Sequence, residues 1–161
     1  MNMKKYICLA VSAVLLLALA ACSGGEKGKN ADFQVQDAMD AMLEKAPIDD
    51  PLTLGESDML DFFGIQSDSM EQFAAVTCSN GISAQEIVLV KATDEDSAKA
   101  VEEKLQNRLD SRKAEAKDYL PDQYAILEEC EVKRDGVYVR LIISPEAQAL
   151  VDIYQGYLNG K

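Results

Sequence analysis

The sequence predicts an α+β domain: a four-stranded antiparallel sheet built from two ββα units, helices packed mainly on one face, and an extra N-terminal helix. Three observations carry this. Two turn centres, Asn80-Gly81 and Asp135-Gly136, each lie between apolar β-like runs, and both dipeptides favour two-residue hairpins. A helix-periodic stretch follows each hairpin, and another precedes the first. Two hairpin-plus-helix units bury their apolar faces most simply as one sheet with helices stacked on it.

Phe33 to Ala46 carries Val35, Ala38, Met39, Met42 and Ala46 at helical spacing, and Pro47 stops it. The following IDDPLTLGE reads as irregular. Ser57 is placed to cap a short helix over Asp58–Phe63, with Gly64 as the left-handed residue after it. Between Met70 and Ala92 two β-like runs flank Asn80-Gly81. The second, Glu86 to Lys91 (EIVLVK), is apolar on both faces and reads as a central strand.

Thr93 is a candidate cap for the clearest helix, and Asp94, Glu95 and Asp96 sit at the positive end of its dipole. Ala98, Val101, Leu105, Leu109 and Arg112 follow one stripe. Arg108, Arg112, Lys113 and Lys117 gather toward the negative end. Ending before Pro121, the helix would hold about 24 residues and span roughly 36 Å.

Ala125–Arg134 and Val137–Ser144 read as strands joined at Asp135-Gly136. That loop sets Val132 opposite Val139 and Cys130 opposite Leu141 on an apolar face. On the other face it sets Glu131 opposite Arg140 and Lys133 opposite Tyr138. Ser144-Pro145-Glu146 opens the last helix with proline at its first position, and Leu150, Val151, Tyr154 and Leu158 form its buried stripe.

Ahead of the domain, Lys4 and Lys5 precede a nearly unbroken apolar run from Tyr6 to Ala21, the layout of a secretory signal. The run is short for a span, which takes roughly 20 apolar residues. Leu19-Ala20-Ala21-Cys22 resembles the bacterial lipobox, whose cysteine thiol receives a diacylglycerol before cleavage on its N-terminal side. The chain therefore divides into a removed signal (1–21), a lipidated Cys22 with a flexible tether (22–32), and one domain (33–161). The Gly- and Lys-rich segment 23–32 spans about 17 Å as a coil.

Removing 1–21 takes Lys4 and Lys5 from the 16 basic residues and nothing from the 28 acidic ones, leaving a net charge of −14. Anionic headgroups and nucleic-acid phosphate repel such a surface. No nucleic-acid partner is expected, and the acyl chains must do the anchoring. Cys78 and Cys130 remain in the mature chain; they can pair in an oxidising compartment, or stay free as small buried hydrophobes.

Histidine, the commonest general acid–base, is absent from the sequence, so a serine triad cannot take its usual form. Without histidine or a CxxC pair, no metal site is expected, and no cofactor beyond the lipid on Cys22. Glu128, Glu129 and Glu131 cluster, but a glycosidase-like pair needs an apposed carboxylate in a cleft. Asp94-Glu95-Asp96 lacks the glycine turn and distal glutamate of a calcium loop. Lys133, Tyr138 and Arg140 share the polar face of the second hairpin, the natural partner surface if helices cover only the other side.

Ser83-Ala84-Gln85-Glu86-Ile87, Lys91, the acid-capped helix with Arg108, Tyr119-x-Pro121 and Asp135-Gly136-Val137-Tyr138-Val139 resemble the lipoproteins grouped as domain of unknown function 4358. The similarity runs over roughly residues 33–158 without a single diagnostic motif. It implies a signal or lipobox followed by one small domain at the outer face of a Gram-positive cytoplasmic membrane. It brings no catalytic or ligand residues, and Cys78 is not a position the family is expected to require. Two function classes stand at this point. One is a non-catalytic binding or accessory lipoprotein with an envelope protein partner. The other is a carboxylate-dependent hydrolase or small-ligand carrier, which needs a concave, partly apolar pocket.

Overall fold

A computed structural model describes residues 31–161. The signal, the lipobox residues Leu19, Ala20 and Ala21, Cys22 and most of the tether lie outside the described residues. In chain order the elements are α1 (Val35–Lys45), β1 (Pro51–Thr53), α2 (Glu56–Phe63), β2 (Met70–Cys78), β3 (Glu86–Ala92), α3 (Glu95–Ala116), α4 (Pro121–Glu128), β4 (Val132–Asp135), β5 (Tyr138–Ile143) and α5 (Ala147–Leu158). The strands form one antiparallel sheet in the order β1-β2-β3-β5-β4.

The α+β class and the two hairpins stand, but the sheet has five strands rather than four. The added strand is β1, in the stretch expected to be irregular; its three residues are all exposed and show no alternation. Its proline is the first residue of an edge strand, where a missing N–H costs least.

Helices cover both faces, not mainly one. Ile87, Leu89 and Ile142 pack under α1 and α5, whereas Val88, Val90, Val139 and Leu141 pack under α2, α3 and α4. The cause lies in the strands themselves. All six residues of β5 and six of the seven in β3 are buried, so either face left bare would put apolar surface in water.

The predicted strand Ala125–Arg134 is divided: only 132–134 are extended, as part of β4, and 125–128 form the end of helix α4. Pro121 sits at its first turn, where the lost N–H is no loss. Leu120, Tyr124 and Leu127 are spaced to meet α3, and Leu127 is fully buried. The first hairpin is also looser than a two-residue turn. Asn80 Oδ1 accepts from the N–H groups of Ile82 (2.9 Å) and Ser83 (3.0 Å), so its side chain closes a longer loop between Cys78 and Glu86.

In the second hairpin Lys133 lies opposite Arg140 and Val132 opposite Leu141. The turn is centred on Gly136-Val137, and positive φ occurs there only at Gly136 (+64°). That is the type II′ requirement, not the type I′ one. Pairing has moved by two residues, so each side chain keeps its predicted face.

The caps are local. Asp94, not Thr93, accepts from the Ser97 N–H at 2.7 Å, and Asp58 accepts from the Gly55 N–H at 2.7 Å. Gly64 (φ +68°) ends α2 as expected. The last helix begins at Ala147 rather than Pro145, after Ser144 Oγ accepts from the Glu146 N–H at 3.1 Å.

The chain enters at the far end of α5. The Ala31 N–H donates to the Leu158 carbonyl at 2.8 Å, and Asp32 accepts from Lys91 (3.0 Å) and the Tyr138 hydroxyl (3.1 Å). Phe33 stacks on Tyr138 with centroids 4.7 Å apart. Ala31 and Asp32, predicted as tether, are thus part of the domain.

Candidate functional site

An arginine inside the apolar strand Tyr-Val-Arg-Leu-Ile-Ile must be buried, and a buried guanidinium needs partners for five N–H donors. Arg140 is 4% exposed. Its Nη2 lies 3.3 Å from Glu131 Oε1, a contact with a carboxylate that is itself 69% exposed. Nε is buried without a hydrogen-bond partner among the described residues, and the guanidinium lies 5.7 Å over the Tyr154 ring. The Tyr154 hydroxyl is likewise buried and has no hydrogen-bond partner among the described residues. Burial and the nearby Asp135 charge push its pKa up, so it stays a neutral phenol.

Arg140 lines a half-open cleft of about 580 Å³, within the range of small-ligand sites. Three further segments meet β5 there. The C-terminal end of α4 brings Ile126 and, after it, Glu129. The chain entering β4 brings Cys130 and Glu131. The start of α5 brings Ser144, Ala147, Gln148 and Val151. Ile126, Ile142, Ala147 and Val151 give an apolar wall, and Arg140 is the cation in it. The first turn of α5 adds the positive end of a helix dipole.

The nucleophile types nearby are quiet. Burial pushes the Cys130 thiol up, and its Sγ donates to the Ile126 carbonyl at 3.1 Å. A thiol held that way is not a reactive thiolate. Ser144 Oγ is engaged as the acceptor for Glu146 N–H.

A second, partly buried cation contrasts with Arg140. Arg108 meets the fully buried Glu86 through two bonds, Nε to Oε1 at 3.1 Å and Nη2 to Oε2 at 2.7 Å, while Thr77 donates to the same carboxylate at 3.3 Å. Burial lowers the Arg108 pKa, but Glu86 more than offsets it, and the net shift is upward. Both oxygens of the Glu86 carboxylate are thus engaged within the protein.

Lys133 is exposed on the edge strand, but Tyr138 and Arg140 are 3% and 4% exposed beneath α1 and α5. The open polar face predicted from these three residues is therefore corrected: it is covered, because helices occupy both sides of the sheet. Cys78 and Cys130 are free and buried, with Cys78 packed on the α1/α5 face and Cys130 on the other. The sheet separates them, so the pairing held open above does not form. Cys78 Sγ donates instead to the Asp49 carbonyl at 2.9 Å.

Among the described residues, no group of three or more His, Cys, Asp or Glu could hold a metal ion, and no helix is long and apolar enough to cross a membrane. Sequence reasoning reached Arg140 for the wrong reason, as an exposed charge. It gave Ser144 and Val151 only structural places at the last helix and did not single out Gln148. The available signal was the single cation inside a six-residue apolar run.

The model of a family described as a domain of unknown function, DUF4358, matches residues 45–144. No curated protein and no solved structure matches the chain.

Proposed function

The chain belongs to the DUF4358 family, and from that premise we propose that it is a lipid-anchored extracytoplasmic domain that works by binding a small ligand in the cleft beside Arg140. One observation carries the reading. Arg140 is buried with its Nε lacking a hydrogen-bond partner among the described residues, yet it borders an open, partly apolar cleft. Burying a cation costs on the order of several kcal/mol unless charge and hydrogen bonds offset it. A ligand bearing an anionic group supplies that offset.

The anchoring half of the reading rests on Lys4, Lys5, the apolar run and Leu19-Ala20-Ala21-Cys22. Geometry favours a site turned away from the anchor. The chain enters beside Leu158 at one end of α5, and the cleft opens beside Ala147 at the other, about 17 Å away along the helix. Ala31 and Asp32 are docked on the domain beside that entry point.

Binding is favoured over catalysis by the absence of histidine from the sequence and by the engaged or protonated state of Ser144 and Cys130. The test is an NMR titration of the mature lipoprotein in detergent micelles with the low-molecular-mass fraction of its own cell envelope. Shifts should concentrate on Ile126, Ile142, Ala147 and Val151. An unchanged spectrum, or shifts centred elsewhere, contradicts the cleft as the site.

A further inference from the structure

We propose that the ligand is a small zwitterion with an apolar side chain, an amino acid or dipeptide, whose carboxylate sits on Arg140 and whose ammonium sits on Glu131. This rests on the binding reading above and names its ligand class.

Three features of the cleft select that class. The first is the charge pair itself. Arg140 is almost wholly buried, whereas Glu131, 3.3 Å away, is 69% exposed and free to swing. Their one contact leaves the guanidinium Nε without a partner among the described residues. A zwitterion that enters between them replaces one imperfect ion pair with two, a carboxylate on the guanidinium fork and an ammonium on the carboxylate. Buried charge stays balanced at every stage.

The second feature is the sign of the surroundings. Glu129 and Glu131 both line the cleft, and the whole chain carries a net charge of −12. A phosphate or dicarboxylate meets repulsion from both glutamates and from the wider field. A simple cation finds Arg140 in its way. A molecule of zero net charge that carries both signs escapes each penalty.

The third is the wall. Ile126, Ile142 and Val151 offer apolar contact beside the charged pair, and a cleft of about 580 Å³ has room for one or two residues. An apolar side chain gains roughly 25 cal/mol for each Å² it removes from water there.

The test is calorimetry on the full mature lipoprotein in detergent micelles with five probes: leucine, leucyl-leucine, 4-methylpentanoate, isoamylamine and inorganic phosphate. At least one of the two zwitterions should bind, with 4-methylpentanoate about tenfold or more weaker, equivalent to 1.4 kcal/mol or more. Isoamylamine and phosphate should give no heat above dilution. Glu131→Gln, at an exposed position that leaves the fold intact, should bring zwitterion and 4-methylpentanoate to equal affinity. Arg140→Met should abolish both.

Equal binding of 4-methylpentanoate and leucine by the unaltered protein overturns the zwitterion and leaves the cleft standing. Tighter binding of phosphate does the same. Silence from all five probes also overturns the ligand class. The envelope titration then decides the cleft separately, since shifts at Val151 and Ile142 do not depend on these probes.

Discussion

Arg108 holds Glu86 by both carboxylate oxygens, at 3.1 and 2.7 Å, in a position where Glu86 is wholly out of water. The same side-chain type at position 140 has one 3.3 Å contact and an idle Nε. Two arginines thus meet the sheet from opposite sides, Arg108 reaching β3 from α3 and Arg140 projecting from β5, with opposite degrees of satisfaction. We read the first as structure and the second as function.

That contrast predicts opposite stabilities. Arg108→Met strands a buried carboxylate and should destabilise the domain by about 3–5 kcal/mol. The double variant Arg108→Met with Glu86→Leu should recover much of the loss, because an apolar pair of similar volume has no charge to compensate. Urea denaturation of the two variants checks this, and a double variant no better than the single would refute it.

Arg140→Met removes an under-paired buried cation and should leave the melting temperature unchanged or raise it. Differential scanning calorimetry is the measurement. A fall comparable to that of Arg108→Met would mean that Arg140 is already satisfied within the fold.

Asp32 gives a pH signature. Its hydrogen bond to Lys91 chiefly, then that to Tyr138, holds its carboxyl below the ordinary carboxylate range. A depressed folded-state pKa means stabilisation that is present at neutral pH and is lost as acid protonates the group. Asp32→Asn should therefore melt lower than the parent at pH 7, and the gap should close as pH falls below the ordinary carboxylate pKa. A gap independent of pH would show that the charge plays no part in docking the N-terminal segment.

The two domain cysteines should behave as isolated buried thiols. Cys78 and Cys130 lie on opposite faces of the sheet. Thiol titration of the oxidised, folded protein should show little reaction, with both appearing on unfolding without reductant. Finding neither thiol under those conditions would show a disulfide and contradict the fold.

Cys22→Ala should abolish lipid labelling and leave uncleaved or mislocalised precursor. Normal labelling of that variant would overturn the anchor.

Much of the fold was legible in local chemistry. The stripes Val35-Ala38-Met39-Met42 and Ala98-Val101-Leu105-Leu109 are buried as their spacing predicts. Central β3 was legible from Glu86-Ile-Val-Leu-Val-Lys91. The errors arose where local pattern and tertiary context part. Ala125 to Arg134 has strand-like residues, but Pro121 and the spacing of Leu120, Tyr124 and Leu127 favour a helix against α3. β1 has no pattern of its own and exists because β2 offers an edge.

The site was less legible, for a physical reason. Arg140 is visible as a charge in the sequence, but its burial depends on α1 and α5 covering a face that the hairpin alone leaves open. The cleft walls come from residues 125 to 151 on three elements, whose meeting is a property of the sheet order rather than of any motif.

Equilibrium dialysis tests the central claim most directly: the protein purified from its own cells against their envelope extract, with mass spectrometry of what is retained, Arg140→Met alongside. The account predicts a small molecule retained by the parent protein and lost from the variant, with both proteins folded. Retention by both to the same degree, or by neither, would contradict it.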